Sequence, residues 1–251
     1  SDGATQIVEP VVQLVVSGRS TAALPNEDSA LIEFDEGNLY SLNRFAGSDA
    51  RERGVRANLG LVWTRIDATG REVGLTFGRV LRRDEAGGFG PSSGLAGRDS
   101  DWLAVFRVTD PAGLALTNRL VIGDGLGLTK AEVRLDLDRD RYGLAGSYVQ
   151  VRADPQESRP RETRELVLDG RYRIAGNWTG RVRGRYDFVA DEARTAGVGL
   201  GFRTECLSVD LSLSRRFTSS TSVRPTTDFG LQVDLLGFGS GKAAGPARPC
   251  R

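Results

Sequence analysis

Apolar and charged side chains alternate along this chain with a period of two residues, in segments that are separated by turns. In residues 131–138 (AEVRLDLD) the odd positions are Ala, Val or Leu, and every even position is charged. Since successive side chains of an extended strand point to opposite faces, such a segment predicts a strand with one apolar and one charged face. The sequence offers nothing helical to cover the apolar faces, so we expect an all-β fold, an antiparallel transmembrane β-barrel.

The segments and the turn residues between them predict about twelve strands. Most of these strands have about ten residues or more, the length that a tilted strand needs to cross a bilayer. Short links with Gly or Asp separate many of them, whereas residues 18–53, 84–99 and 153–160 form longer polar links. A soluble sandwich of two sheets is the alternative fold, if the apolar faces pack on each other. The predicted strands lie near residues 7–17, 54–67, 72–83, 100–109, 113–123, 128–139, 142–153, 161–175, 178–190, 194–204, 206–217 and 224–237.

The charged faces of the strands are expected to line the interior of the barrel. An arginine on the lipid face at the bilayer midplane costs roughly 2 to 4 kcal/mol, so many charges are tolerated only in a wet lumen. In the strand at 54–67, for example, Leu59 and Leu61 alternate with Arg56 and Asn58. Both signs of charge occur, and we expect them to pair across strands. The predicted lumen-lining charges are Glu132, Arg134, Asp136, Asp138, Arg181, Arg183 and Arg185.

Composition excludes several classes of function. The 251 residues include 34 Lys and Arg and 33 Asp and Glu, a net charge of +1, so no basic field attracts nucleic acid. The absence of histidine removes every imidazole-based triad, metal site and proton shuttle, and we predict no catalytic residue and no enzyme activity. No apolar run approaches the roughly 20 residues of a membrane-spanning helix. The first four residues are neither basic nor strongly apolar, so we expect no signal peptide and either a mature chain or a fragment.

Residues 25–53 lack the alternation of the flanking segments and contain several carboxylates. Clustered carboxylates can bind calcium, but their spacing here does not follow an EF-hand, so we predict no metal and no cofactor. We expect the segment to fold as a long loop or plug, into or over the barrel. Residues 240–251 are rich in Gly, Ala and Pro and are expected to form a disordered tail after a single domain at 1–239. The carboxylates include Glu27, Asp28, Glu33, Asp35 and Glu36.

Short blocks in and around this segment resemble the LptD family, the lipopolysaccharide assembly proteins of the outer membrane. The family shows a similar series of Phe-Asp, Asn-Arg-Phe and Gly-x-Asp ahead of a strand like residues 55–63. Residues 9–14 also look like a strand of this family, and residues 205–217 and 226–231 are similar to its alphaproteobacterial members. The blocks are 25–29 (PNEDS), 33–35 (EFD), 38–45 (NLYSLNRF) and 47–49 (GSD), with Asn43, Arg44, Phe45, Gly47 and Asp49 as the family-motif loop.

The resemblance implies that this chain is the C-terminal part of a larger barrel, in the outer membrane of a Gram-negative bacterium. In the LptD family the barrel receives lipopolysaccharide from a periplasmic LptA-type bridge, through an N-terminal domain that is missing here, and inserts it into the outer leaflet. An LptE-like lipoprotein plugs the lumen, and the barrel assembly machinery inserts the barrel into the membrane. A general porin for small polar solutes is the alternative function.

By the same resemblance, the last predicted strand forms one side of a lateral gate, between the first and last strands of the barrel. It also fits the glycine-containing pattern of terminal strands that the barrel assembly machinery recognises. The residues of this strand that we assign to the gate are Phe229, Gly230, Leu231, Val233 and Leu235.

The chain has two cysteines, Cys206 and Cys250, which are too few for a disulfide framework and lack the CxxC spacing of a zinc site. The LptD family places a cysteine, or an adjacent pair, where Cys206 lies, and its disulfide joins the barrel to the periplasmic domain. Leu207 departs from the paired form. The resemblance therefore implies an interdomain disulfide for Cys206 in the oxidising periplasm, with Cys250 as the alternative partner.

Overall fold

The structure, a computed structural model, describes residues 3–18, 32–45, 47, 49–218 and 224–235. These residues form β-strands and two 3₁₀ turns, Pro91–Ser93 and Pro155–Glu157, and neither turn has the length or hydropathy of a membrane span. The strands are β1 (Thr5–Ser17), β2 (Gly54–Ile66), β3 (Glu72–Ala86), β4 (Gly97–Asp99), β5 (Trp102–Asp110), β6 (Leu114–Ile122), β7 (Leu128–Asp138), β8 (Tyr142–Val151), β9 (Thr163–Ala175), β10 (Trp178–Asp187), β11 (Glu192–Arg203), β12 (Leu207–Arg216) and β13 (Thr226–Leu235).

All of these strands belong to one antiparallel sheet. Its order follows the chain from β1 to β13, except that β4 pairs only with β3 and lies off the main path. An antiparallel meander of this kind results from the short links, because two-residue to five-residue turns join only neighbouring antiparallel strands. The predicted all-β antiparallel fold is confirmed. The predicted tail at 240–251 lies outside the described residues.

The two largest differences from the predicted strands lie around β4 and at the end of β10, and the other described strand ends differ by at most two residues. The three-residue β4 lies inside the link predicted at 84–99 and pairs with an extended β3. A strand this short shows no alternation that a sequence pattern could detect. Further along the chain, β10 ends at Asp187 rather than at residue 190, because the Asp187 carboxylate accepts hydrogen bonds from the N–H groups of Val189 and Ala190 and so forms a turn.

The chain divides into two compact units. The first unit lies within residues 1–135 and 148–164, and the second lies within residues 136–147 and 165–251. All buried hydrophobic residues that the structure describes belong to the first unit. The two units therefore differ in how their sheet faces are packed.

One face of the first unit is apolar and exposed. Leu61 and Phe77 pair across β2 and β3, and each is 45% exposed. Side chains from five strands form one row on this face: Pro10, Leu61, Phe77, Ala104 and Leu120. An exposed apolar surface that continues across several strands is the surface that a barrel presents to lipid.

The other face of the first unit carries charged and polar side chains, yet several of them are buried. Arg56, Asn58 and Arg82 are almost fully buried, and all three lie on this face. They are buried because residues 32–53 pack against them. We call this surface the covered face, and residues 32–53 the covering segment.

The strands of the second unit separate apolar from charged residues in the same way. Arg181 on β10 lies beside Gly199 on β11, on the same face as Ser212 and Gly230. The opposite face carries an apolar row of Val182, Val198, Leu213 and Phe229, all of them about half exposed or more. The predicted alternation of the two faces is therefore found in both units.

Candidate functional site

The covering segment is fixed to the sheet by a small hydrophobic core. Ile32, Phe34 and Leu39 of the segment are buried, and Phe34 and Leu39 have no exposed surface. Tyr40 and Phe45 pack at the margin of the same cluster. The core residues that the sheet and its links contribute are Val80, Phe89, Leu95, Leu103, Val105 and Val121.

Two glycines of the sheet make this close packing possible. A Cβ atom at Gly78 would overlap the Leu39 side chain and would lie 2.8 Å from the carbonyl oxygen of Leu59. A Cβ atom at Gly60 would overlap the hydroxyl of Tyr40. Because these positions have no side chain, the covering segment lies directly on the backbone of β2 and β3.

The described residues of the covering segment (32–45, 47 and 49–53) form no helix or strand, and side-chain hydrogen bonds shape this part of the chain. Asp35 and Asn38 form a reciprocal pair, in which each side-chain oxygen accepts a hydrogen bond from the backbone N–H of the other residue. Asn43 donates to the carbonyl of Ala50 at 3.1 Å and accepts from the N–H of Glu52 at 3.0 Å. These local bonds replace the strand hydrogen bonds that the segment lacks.

Below the hydrophobic core, three arginines surround one carboxylate. Arg44 Nη1 lies 2.6 Å from Glu52 Oε2, and Arg82 Nε lies 2.9 Å from Glu52 Oε1. Arg56 Nε lies 3.8 Å from the same Oε1, and Arg44 also donates to Asn58 Oδ1 at 2.9 Å. The four charged side chains are between 0% and 3% exposed. We call Arg44, Glu52, Arg56, Arg82 and Asn58 the buried charge cluster.

Backbone carbonyls accept further hydrogen bonds from the arginines of this cluster. Arg44 donates to the carbonyls of Asn38 and Leu39, Arg56 donates to that of Leu42, and Arg82 donates to that of Leu95. Burial lowers the pKa of Arg44, and the adjacent Glu52 carboxylate opposes that effect. Buried charges cost free energy unless they are paired and hydrogen-bonded, so each member of the cluster depends on the others.

A second set of ion pairs joins the covering segment to β5, β6 and β7. Arg107 and Arg119 both bind Glu36, Arg119 also binds Glu132, and Lys130 lies between Glu132 and Glu33. We call these six residues the ion-pair row. The hydrogen bond from Arg119 lowers the pKa of Glu36 against the opposing effect of burial. Within the described residues, no group of acidic, Cys or His side chains could hold a metal ion.

The residues of the family-motif loop contact the hydrophobic core and the buried charge cluster, each to a different extent. Arg44 is one of the three arginines that surround Glu52, and Asn43 orders the backbone next to it. Phe45 stacks on Phe89, with ring centroids 4.6 Å apart and an interplanar angle of 8°. Gly47 and Asp49 are exposed. The loop therefore acts first as an anchor of the covering segment.

The charges of the second unit lie on an exposed face and pair across strands. Arg185 binds Glu165, Arg181 binds Asp210 at 2.6 Å, and Arg171 binds Asp138. The arginine side chains of these pairs are 40% to 50% exposed. Cross-strand pairing was predicted, and these pairs confirm it. That these charges and Arg134, Asp136 and Arg183 line a lumen stays a prediction.

Two of these pairs pass over a glycine of the intervening strand. Arg171 on β9 reaches across Gly143 on β8 to Asp138 on β7, and a Cβ atom at Gly143 would lie 2.6 Å from Arg171 Nε. Arg181 on β10 reaches across β11 to Asp210 on β12, and a Cβ atom at Gly201 would lie 2.9 Å from Asp210 Oδ1. Each pair thus spans three strands.

The strand assigned to a lateral gate and the cysteine are placed as follows. Phe229, Leu231, Val233 and Leu235 of β13 are 53% to 73% exposed on one face, and Gly230 lies on the other. Cys206 is half buried at the turn before β12. Cys250 lies outside the described residues. The roles predicted for the strand and for the disulfide stay predictions.

An antiparallel sheet of long strands, apolar and exposed on one face and charged on the other, defines the class of outer-membrane β-barrel walls. Here a segment of the same chain also packs on part of the charged face. The LptD family, described as LPS transport system D, matches residues 1–178, and the chain belongs to this family. Its members are outer-membrane proteins of lipopolysaccharide transport and are not enzymes. No curated protein matches the chain.

Proposed function

We propose that this chain forms part of the wall of a lipopolysaccharide translocon, in which the covering segment is a plug fixed to the lumen face. Membership of the LptD family supports lipopolysaccharide transport as the process. One observation carries the finer proposal: the Arg44 side chain is fully buried against Glu52, beneath the core formed with Phe34 and Leu39. A porin for small solutes needs a charged wall that is in contact with water. In the first unit, the covering segment instead buries charged side chains of the sheet.

In this proposal the charged faces line the lumen and the apolar faces meet lipid. The second unit leaves its charged face exposed, with arginines and carboxylates paired across β7 to β12. A water-filled path with charges of both signs accommodates a headgroup that carries phosphates and sugars, while the apolar faces remain in contact with acyl chains.

The partners and the exit follow from the same proposal. Lipopolysaccharide arrives from an LptA-type periplasmic bridge through an N-terminal domain, an LptE-like lipoprotein fills the remaining lumen, and the barrel assembly machinery inserts the barrel. The strand β13 forms one side of the lateral gate. It is the end strand of the sheet order, and an edge that pairs through few ladder hydrogen bonds separates at lower cost than a continuous sheet.

Depletion of the full-length protein tests this function against the porin alternative. Cells in which its synthesis is switched off are expected to lose delivery of newly made lipopolysaccharide to the cell surface, measured by surface labelling. Uptake of small polar solutes is expected to stay unchanged over the first generations. Normal surface delivery together with slower solute uptake would instead establish a porin.

A further inference from the structure

The ion-pair row holds Glu36 in the geometry by which arginine holds a phosphate group. Arg119 donates from Nε to Oε2 at 2.7 Å and from Nη2 to Oε1 at 2.8 Å, and Arg107 Nη2 lies 3.2 Å from the same Oε1. A guanidinium that donates two parallel hydrogen bonds recognises carboxylate and phosphate oxygens alike. Glu36 therefore occupies a position that another anion can also occupy.

Lys130, at the other end of the row, pairs with the carboxylate of Glu33, whose side chain can rotate into solvent. Its side chain is 8% exposed, and its close partner is Glu33 Oε2 at 2.7 Å, while Glu132 lies at 3.8 Å. The Glu33 side chain is 72% exposed, so it rotates into solvent without loss of packing. An ammonium group as buried as Lys130 requires a nearby anion, which makes the vacated position attractive to a negatively charged ligand.

A cavity of about 180 Å³ opens at this end of the row. One water molecule occupies about 30 Å³ in the liquid, so the volume of the cavity equals that of six water molecules. This volume has room for a phosphate and part of a sugar. The cavity is lined by Ser92, Ser93, Lys130 and Arg159, together with the carboxylates of Glu33 and Glu157. The hydroxyl of Ser92 donates to Glu157, and that of Ser93 donates to the carbonyl of Gly90. The cavity therefore offers a ligand two cations, Lys130 and Arg159, of the kind that bind phosphate oxygens.

The charge of the row changes when the two carboxylates of the covering segment leave it. With Glu33 and Glu36 in place, the row holds three cations and three carboxylates. Without them it holds Arg107, Arg119, Lys130 and Glu132, so the charge of the row rises from 0 to +2. Phe34 and Leu39, which lie close to these glutamates in the sequence, are fully buried and hold the backbone of the covering segment in place. The two glutamates can therefore leave the row by side-chain rotation alone.

We propose that Arg107, Arg119 and Lys130, with the cavity beside Lys130, form a binding site for the phosphate groups of a lipid headgroup. Glu33 and Glu36 fill the site when no lipid is present, and they exchange with the phosphates by rotating outward. This site rests on the proposed translocon function and names the part of the wall that the anionic headgroup contacts.

Binding measurements on the full-length protein, purified in detergent with its lipoprotein partner, test the site. The probes are inorganic pyrophosphate, a bisphosphorylated glycolipid and the same glycolipid without its phosphates. The double variant Glu33→Gln/Glu36→Gln removes the competing carboxylates and is expected to bind both phosphorylated probes about tenfold more tightly. The double variant Arg107→Gln/Arg119→Gln is expected to bind them about tenfold more weakly.

A control variant outside the site and a single variant at an exposed side chain separate loss of the site from loss of the fold. Asp124 is 71% exposed and lies 2.7 Å from Arg79, so Asp124→Asn removes a pair of the same length and exposure outside the site and is expected to change no affinity. The single variant Glu33→Gln changes an exposed side chain and is expected to keep the fold while it still tightens binding. Unchanged affinities in Glu33→Gln and in both double variants would overturn the proposal.

The remaining outcomes distinguish a lipid phosphate from free phosphate, and they distinguish a wrong binding site from a wrong translocon function. Equal affinity for the glycolipid with and without phosphates, beside variant-sensitive pyrophosphate binding, assigns the site to free phosphate and overturns the lipid assignment. In cells, normal lipopolysaccharide delivery by the Arg107→Gln/Arg119→Gln variant overturns the headgroup site but leaves the translocon intact. Only normal delivery after depletion of the whole protein refutes the translocon itself.

Discussion

The charged face of the first unit is covered, whereas that of the second unit is exposed, although the same alternation builds both. In the first unit, the side chains of Arg44 and Glu52 are 0% and 1% exposed. In the second unit, those of Arg185 and Glu165 are 50% and 24% exposed. The difference comes from the covering segment. It supplies apolar side chains to the hydrophobic core, and it supplies Arg44 and Glu52 to the buried charge cluster.

The same pattern of alternating charges thus has two different energetic roles in the two units. A buried ion pair becomes strongly destabilising when one partner is lost, because an uncompensated charge is left in a low dielectric. An exposed pair contributes little, because water and salt screen it. The first unit therefore uses its charges to fix a segment in place, and the second keeps its charges available to solvent.

The largest expected effect comes from removing the carboxylate of the buried charge cluster. Glu52→Gln leaves Arg44, Arg56 and Arg82 without their shared anion and is expected to lower the free energy of unfolding by about 3 to 5 kcal/mol. The matched change in the second unit, Glu165→Gln, is expected to cost at most about 1 kcal/mol. Urea unfolding of the full-length protein, followed by tryptophan fluorescence, measures both. Equal losses would remove the distinction between the units.

An intermediate effect is expected from a side chain placed beneath the covering segment. Gly78→Ala overlaps Leu39 and approaches the Leu59 carbonyl, so it is expected to cost about 1 to 3 kcal/mol of overpacking. Gly184→Ala in the second unit is the control, because its nearest heavy atom, Thr195 O, lies 4.0 Å from the new Cβ. We expect no loss of stability for it in the same unfolding measurement. A harmless Gly78→Ala would contradict close packing of the segment on β3.

The smallest expected effect is a pH dependence of the stability of the first unit, caused by Glu36. Arg119 lowers the pKa of Glu36, so this pair stabilises the folded protein above the ordinary glutamate pKa of 4.5, and the stabilisation is lost as the pH falls through the lowered value. The contribution is expected to be under about 1 kcal/mol, since the pair is partly solvated.

Unfolding measured between about pH 6 and pH 3 tests the sign of this effect. Wild-type protein is expected to lose more stability across the acidic part of this range than Glu36→Gln does. If the two proteins lose stability in parallel, the carboxylate of Glu36 is not held by Arg119 in solution.

The strands and their faces were predictable because alternation with period two is a local property. It placed Arg56 and Asn58 on the face opposite Leu59 and Leu61, and the register of β1, β2 and β3 agrees. Alternation does not reveal what lies against a face. The burial of Arg56 and Asn58 beneath a segment of the same chain therefore had no signal in the strand pattern.

The contacts of the covering segment were not predictable from one sequence. Phe34 and Leu39 follow no period, so nothing distinguishes them as core residues from the other apolar residues of a loop. Clustered carboxylates such as Glu33 and Glu36 can bind calcium, but here they pair with Lys130 and Arg119, which lie 97 and 83 residues further along the chain. The resemblance identified Asn43, Arg44 and Phe45, although not their partners Glu52 and Phe89.

These long sequence separations set an order of folding for the ion-pair row. The covering segment is synthesised before every strand that it packs on, and its last partner, Lys130, lies on β7. Closing loops of this length costs entropy before any contact is gained, so distant pairs form late. We therefore expect the row to close after β5, β6 and β7 have paired, so that the covering segment takes its final conformation on a sheet that has already formed.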